Sequence, residues 1–528
     1  MVSVIPHPVS LIEHAAEAFT LTPESRLVAT GGGAAAVAAQ LADWLRVDTG
    51  LALPVVDGGT GTGADAVKAG AHDVVLALTG GSAETCEDLA WPETETYSLT
   101  TDASGAWLGA AHPAGLFAAA QTLRQLVPAP DAAGAASDAL PAAAHHVPSV
   151  TINDSPRFAY RGAMLDVARH FFPVADVERF IDAIAMLKIN HLHLHLTDDQ
   201  GWRIQIDSWP LLTEIGSASE TGDGPGGFYT KEDYAGLVAY AAERFVTIVP
   251  EIDIPGHTNA ALASYAELNE DGVLREPYRG IEVGFTSLAI NKDSSYRFID
   301  DVVREVAAMT PGPYLHLGGD ESLTLTQEQF VEFINRATAV AAATGKTLVG
   351  WHEMGQADAL PTGTIGQYWG RHADHAKVGP QIRSFVEQGG SVIMSPAEHS
   401  YLDMHYPDET RLGQGWAGTI SLADSYEWDP ATLVEGITEA QLLGVEAPVW
   451  TETLETSSDV EFMVFPRLAC VAEIAWSQVS GPRRFEEIAP RLAAFCARLD
   501  RLGINFHRSP ELGAGAPDAA SLATDAGV

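Results

Sequence analysis

Cysteine is nearly missing from this chain: Cys86, Cys470 and Cys496 are the only three in 528 residues. Three scattered thiols encode neither a disulfide framework nor a thiolate metal site, so nothing here requires an oxidising compartment. Positive charge is scarce as well. Thirty Lys and Arg face 70 Asp and Glu, a formal net charge of −40, which repels phosphate backbones and anionic lipids and argues against nucleic acid and membrane surfaces as partners. No run approaches the roughly 18 consecutive apolar residues of a membrane helix. The opening Met1-Val2-Ser3-Val4-Ile5-Pro6-His7-Pro8 has neither the basic nor the apolar segment of a secretory leader. The chain as written is therefore expected in the cytoplasm, and outside the cell if a leader precedes this numbering.

What is present suits a folded protein: 46% hydrophobic and 19% charged residues. The length exceeds one ordinary core and predicts two domains, the larger near barrel size. Residues 1–150 read as a smaller α+β domain. Strand-like runs at 26–30, 73–78, 97–101 and 106–111 alternate with helical stretches ending near Trp44-Leu45 and spanning 114–127, and Asp102-Ala103-Ser104-Gly105 forms a hairpin turn. Gly31-Gly32-Gly33 and Gly58-Gly59-Thr60-Gly61 lack dinucleotide spacing and a phosphate-loop Lys, and read as loops. Residues 128–146 form a connection rich in Ala, Pro and Asp, and 147–152 one more strand.

From Tyr160 the texture changes to apolar runs that end in polar residues and alternate with amphipathic helices. The runs cover 160–167, 190–196, 246–254, 314–317, 347–350, 364–368, 391–394 and 446–449. About eight such βα units over 151–510 predict a (β/α)₈ TIM barrel, whose chemistry belongs at the C-terminal ends of its strands. The tail over 511–528 is expected to be disordered from its composition.

The strand ends collect Arg169, Asp198, His257, Asp320, Glu321, Tyr401, Asp403 and Glu452, with Trp351, Trp369 and Trp450. Flat aromatic faces suit the C–H faces of a sugar, while carboxylates and Arg bond its hydroxyls. Asp320 and Glu321 are adjacent after Gly318-Gly319, and mutual repulsion makes one of them hold its proton longer, giving one anion and one usable acid. Thr326 followed by Gln329 predicts a capping box opening the next helix. His191, His193 and His195 alternate along one strand face. An HxH pair inside a barrel can bind zinc, but the later strand ends offer Trp, Tyr and carboxylates rather than further histidines. The other reading, interior hydrogen-bonded histidines that help place Asp198, is preferred, so no metal and no cofactor is expected.

Four stretches carry a resemblance: Arg161 to Phe171, His193-Leu194-His195-Leu196-Thr197-Asp198-Asp199-Gln200, Glu251-Ile252-Asp253-Ile254-Pro255-Gly256-His257, and His316-Leu317-Gly318-Gly319-Asp320-Glu321. In this order they resemble the family 20 glycoside hydrolases, the β-N-acetylhexosaminidases, over about 148–505. The resemblance implies an exo-acting enzyme that removes terminal β-linked GlcNAc or GalNAc from an oligosaccharide, the sugar's own acetamido group serving as nucleophile. It implies Glu321 as general acid and later base, and Asp320 as the group that orients the acetamido N–H and stabilises an oxazolinium-like cation. Asp198 and His257 are implied as a relay to Glu321, with Asp199 a further candidate. Arg169 and Glu452 are implied to grip outer hydroxyls, Trp351, Trp369 and Trp450 to wall the acetamido group, Tyr401 to bond its carbonyl with Asp403 nearby, and Trp416 to stack on the next sugar.

Overall fold

The computed structural model describes residues 2–59, 69–70, 72–79, 91–128, 144–407, 410–479 and 481–515. Cys86, Gly61 and most of the 128–146 connection lie outside these residues, as does the expected tail beyond 515. Residues 511–515 complete the 3₁₀ turn Pro510–Gly515, and the Glu511 carboxylate accepts from Leu422 N–H at 2.9 Å.

Among the described residues nine strands precede the barrel: β1 (Ser10–Glu13), β2 (Phe19–Leu21), β3 (Leu27–Thr30), β4 (Val55–Asp57), β5 (Val74–Leu78), β6 (Tyr97–Asp102), β7 (Gly105–Ala110), β8 (His145–Val147) and β9 (Val150–Asp154). Seven of them form one mixed sheet in the order β1-β9-β6-β7-β5-β3-β4, and β2 pairs with β8. Helices Ala34–Thr49 and Pro113–Leu126 bury their apolar stripes. Strands β1, β2 and β4 are three or four residues long, too short for alternation to mark them in the sequence.

The eight expected barrel strands are present and close into a parallel barrel: β10 (Tyr160–Asp166), β11 (His191–His195), β12 (Thr247–Glu251), β13 (Tyr314–His316), β14 (Thr347–Trp351), β15 (Ile365–Tyr368), β16 (Val392–Met394) and β17 (Leu442–Val449). The last begins at Leu442, ahead of the Glu446 read from the sequence, and pairs with β10 to close the ring. Every residue of β10 and β11 is buried, as a strand between a packed interior and an outer helical layer must be.

The barrel interior is layered, and its layers differ in polarity. Tyr160, Val249, Val349, Ile365 and Ile393 form an apolar cluster. Two residues further along the strands come His193, Glu251, Trp351, Gln367 and Glu446, all fully buried. Gly162 makes this possible, since a Cβ there would stand 2.6 Å from Glu446 Oε2.

The two sheets are joined through Asp154 at the end of β9. One of its oxygens accepts from the Tyr97 hydroxyl (2.7 Å), the Lys188 ammonium (3.1 Å) and the Trp476 indole (3.0 Å), and the other from Val9 and Ser155 N–H at 3.0 Å. Lys188 and Trp476 belong to the barrel side, so the carboxylate pairs charges across the boundary. Removing one partner of a buried pair costs about 3–5 kcal/mol, because the other charge is left unpaired. Asp154→Ala is thus expected to lower unfolding free energy by about that much in denaturant titration, while Ser155→Ala shifts the midpoint far less.

Candidate active site

Strand β13 ends in a sharp turn. Gly318 and Gly319 have φ of 63° and 96°, and Glu321 follows with φ 44°. A Cβ on Gly318 would lie 1.7 Å from Asp253 Oδ1, so the close approach as well as the positive φ requires glycine. The capping box forms as expected: Thr326 and Gln329 bond reciprocally at the start of helix Gln327–Ala342. Held between strand and helix, Asp320 is buried, whereas the Glu321 side chain keeps 32% of its exposure.

Above this turn sits His257, itself at φ 54°. Its Nε2 lies 3.6 Å from Asp320 Oδ2 and 3.5 Å from Glu321 Oε2, and its Nδ1 lies 3.2 Å from Asp198 Oδ1. Asp198 Oδ2 accepts from His195 Nε2 and faces Arg169 Nη2, both at 2.8 Å. Burial would raise the Asp198 carboxyl, but Arg169 and His257 outweigh it and hold it well below the usual range. Burial would likewise lower His257, yet Asp198 and Asp320 keep it protonated well above its ordinary value. Burial pushes Asp320 up, His257 pulls it down and Glu321 adds to the rise, so this carboxyl settles at about 6. The Asp198–His257 pair therefore presents a positive charge to two neighbouring carboxyls that differ in burial.

A cavity of about 780 Å³ opens over the turn, bordered by Arg169, His257, Asp320, Glu321, Tyr401, Asp403 and Glu452 and walled by Trp369, Trp416 and Trp450. This volume falls in the range of small-molecule sites. Trp369 and Trp416 meet edge to face at 5.8 Å, and Tyr401 stands 5.7 Å from Trp416 and 6.3 Å from Trp450. Trp351 and Asp198 do not border the cavity; Trp351 is fully buried beneath Trp450, with ring centroids 5.9 Å apart. Around the cavity, Asp320 Oδ1, Asp403 Oδ2, Glu452 Oε2 and Arg169 Nε are buried with no hydrogen-bond partner among the described residues. Buried polar atoms without partners are expensive, and four of them converging on one cavity describe a ligand with many hydroxyl and amide groups. Burial and Glu452 push Asp403 up, and burial raises Glu452 despite Arg169.

Asp199 points elsewhere: its Oδ1 accepts from Thr286 Oγ1 (2.6 Å) and Asn259 N–H (2.8 Å), bracing the loop behind His257. The three strand histidines also part company. His191 stacks on Tyr160 at the lower layer, whereas His193 faces Glu446 Oε1 at 2.9 Å and Glu251 Oε2 at 3.0 Å. His193, Glu251 and His316 do bring ligand atoms within 4.8 Å of one another. An imidazole that donates from both nitrogens, however, keeps no lone pair for a metal.

The sequence reading missed Asp166, which accepts from Ala168 N–H and lies 3.4 Å from Arg169 Nη1. It also gave no role to Asp253, whose Oδ1 accepts from Gly319 N–H at 3.1 Å. Glu353 is the third omission. Two residues beyond Trp351, it borders the cavity and accepts from the Trp369 indole at 3.0 Å. All three stand at strand ends, the signal that picked out their neighbours.

A parallel barrel whose mouth offers a tunable acid, a fixed anion and stacking faces defines a hydrolase of the carbohydrate-active kind. Comparison with known proteins narrows that class. The model of the glycosyl hydrolase family 20 catalytic domain matches residues 158–329 and 322–479, and that of the family's domain 2 matches residues 1–155. The chain is 41% identical to a β-N-acetylhexosaminidase of Cellulomonas fimi over 79% of its own length and 81% of that protein. It is similar to the solved β-N-acetylhexosaminidase of Streptomyces coelicolor A3(2), with 43% identity, a TM-score of 0.87, and coverage of 96% of this chain and 98% of that one. The Streptomyces plicatus N-acetyl-β-hexosaminidase in complex with Thio-NAglucal is likewise 43% identical, with a TM-score of 0.86 over 96% of this chain and 97% of that one. The chain belongs to glycoside hydrolase family 20.

Burial, reinforced by Asp320, pushes the Glu353 carboxyl up to about 8. It is thus neutral below that pH and an anion above it. Tryptophan fluorescence should show a step near pH 8 as the Trp369 partner ionises, and Glu353→Gln should remove that step.

Proposed function

We propose that this chain is an exo-acting β-N-acetylhexosaminidase that releases a terminal β-linked GlcNAc or GalNAc with retention, the sugar's 2-acetamido oxygen attacking its own anomeric carbon. The observation that carries this reading is the placement of Asp320 and Glu321 side by side under His257, against a cavity ringed by unpartnered buried oxygens. Two carboxyls on adjacent residues cannot flank a glycosidic bond from opposite faces, about 5 Å apart, as an enzymic nucleophile and acid must. An internal nucleophile removes that need, since a well-oriented neighbouring group has an effective concentration on the order of 10⁵ M or more. The enzyme then has only to steer the amide and move one proton.

In this reading the more exposed Glu321 protonates the leaving oxygen and afterwards takes the proton from water. Asp320, as an anion, accepts the acetamido N–H on Oδ1 and stabilises the oxazolinium-like cation. His257, held protonated by Asp198, keeps a positive charge beside both. Arg169 and Glu452 receive the outer hydroxyls, and Tyr401 donates to the acetamido carbonyl between Trp369 and Trp450. Trp351, one layer deeper, acts by supporting Trp450. Arg169 and Asp403 border the cavity while themselves buried, so its inner end is walled by protein, which favours attack on a chain terminus. The substrate is an oligosaccharide with a terminal N-acetylhexosamine.

Chromogenic GlcNAc, GalNAc and glucose substrates test the assignment together: both acetamido sugars should turn over and the glucoside should not. Equal turnover of the glucoside would remove the acetamido mechanism. Glu321→Gln should lose roughly 10²–10⁴-fold on N,N′-diacetylchitobiose, the usual contribution of a positioned acid, and much less on an aryl glycoside whose leaving group needs no proton. A variant with unimpaired chitobiose cleavage would end the proposed role. The pH profile follows from Asp320, which must be ionised. Its carboxyl at about 6 places the acidic limb of kcat/KM near pH 6, with activity rising as pH increases. His257→Asn removes the cation that lowers Asp320, so that limb should move upward by about one unit.

A further inference from the structure

Glu251 ends β12 with its carboxylate fully buried beneath the cavity. Its Oε2 receives His193 Nε2 at 3.0 Å and, more closely, His195 Nδ1. Its Oε1 accepts from the Trp351 indole N–H at 3.0 Å and lies 3.0 Å from His316 Nδ1. Two of these neighbours continue into the site. His195 gives its other nitrogen to Asp198 at 2.8 Å and sets its ring against Trp450, centroid to centroid 4.9 Å. Trp351 lies against that same Trp450 at 5.9 Å, and Arg169 stands over it at 4.9 Å. Trp450 thus rests on two groups that a single carboxylate holds.

We propose that Glu251 is a positioning residue for hydrolysis: it keeps His195 as a two-donor imidazolium serving Asp198, and locks Trp351 beneath Trp450, so that one buried anion sets both the proton relay and the sugar pocket. Both nitrogens of His195 face carboxylate oxygens, and an unprotonated nitrogen there would set lone pair against lone pair. The ionisable groups facing His195 are Asp198 beyond its own strand, Glu251 and Asp253 from β12 and the loop after it, and Asp320 from the turn after β13. Those facing Glu251 besides His195 are His193, His316, Asp253 and Asp320. An amide in place of Glu251 keeps the shape and removes the nearest charge. His195 then drops toward its ordinary value near 6.5 and titrates within the working range. Above that range Asp198 loses a charged donor, and Trp351 loses its charged acceptor at every pH.

The inference rests on the acetamido-sugar hydrolysis proposed above, and the experiment separates the two. kcat and KM are measured from pH 5 to 9 on a chromogenic N-acetylglucosaminide for the wild type, Glu251→Gln and Glu446→Gln. Glu446 is one link further along, bonded to His193 but touching neither Asp198 nor Trp450, and serves as the control for a merely structural role. Glu251→Gln is expected to keep most of its kcat below pH 6 and to lose about tenfold as pH rises to 8, with KM raised several-fold throughout. Glu446→Gln should lower Tm yet leave the shape of the profile unchanged. A wild-type profile and KM in Glu251→Gln, or a loss of kcat equal at every pH, would overturn the proposal. Should that variant fail to fold, ¹⁵N-histidine NMR of the wild type decides, since His195 must carry protons on both ring nitrogens through pH 8 and an unprotonated nitrogen at neutral pH overturns it. An inactive wild type would instead sink the hydrolase reading, leaving the NMR result to judge Glu251 alone.

Discussion

Charge inside a barrel has to be paired at every step, and in this protein it is. Asp198, His195, Glu251, His193 and Glu446 alternate in sign from the mouth of the barrel into its interior, each within 3.0 Å of the next. An unpaired ion at any of these fully buried positions would cost several kcal/mol, so each charge depends on its immediate neighbours. Burial alone would lower His193, but Glu446 and Glu251 outweigh it and raise the imidazole to about 9. The series closes on neutral groups, with the Tyr160 hydroxyl and the Gln367 amide donating to Glu446 at 2.5 and 2.6 Å. Most TIM barrels fill this space with branched apolar side chains. Here a rigid column of hydrogen bonds replaces them, and it ends on Asp198.

That column explains how two adjacent carboxyls come to behave differently. Asp198 is fixed as an anion, it fixes His257 as a cation, and His257 faces both Asp320 and Glu321. The turn then separates the two by burial. Positive φ at Gly318, Gly319 and Glu321 swings Asp320 into the wall and leaves Glu321 reachable from the cavity. Strain of this kind persists only where the surroundings over-determine it, and the Gly319 N–H bond to Asp253 and the capped helix at Thr326 supply that determination on either side.

The barrel was legible because its signal is redundant. Each strand run ends in a polar or aromatic residue, each is followed by a helical stripe, and eight repeats average out the local ambiguity of any one. The site was legible for the same reason: Arg169, His257, Asp320 and Glu452 are strand-end residues, and the fold gathers strand ends. Legibility failed in two places. Three-residue strands such as β2 and β8 carry no period, because their pairing is set by tertiary contact across more than a hundred residues. Depth failed as well. Trp351 and Trp369 look alike in sequence, each closing a βα run, but the first turns inward to Glu251 and the second outward to Glu353. Glu251 and Glu446 fall inside runs read as apolar strands, where a carboxylate looks like an error until its histidine partners are known.

The composition suggests a cavity crowded with negative charge, and the physics says otherwise. Burial pushes the carboxyls of Asp403, Glu452 and Glu353 upward, which favours their neutral forms, and a protonated carboxyl can donate a hydrogen bond as well as accept one. A sugar hydroxyl also does both, so carboxyls of this kind match it better than a ring of anions would. Asp198, which stays an anion, is covered by Arg169, and the same guanidinium faces Asp166. The group left to meet positive charge developing on the ligand is Asp320, poised to ionise in the mildly acidic range. Its partner in that step is positive: the cation that forms as the acetamido oxygen closes on the anomeric carbon. A carboxylate whose proton is lost easily near the working pH, and whose charge finds its best match only once that cation develops, stabilises the transition state more than the bound sugar, which is the condition for catalysis rather than mere binding.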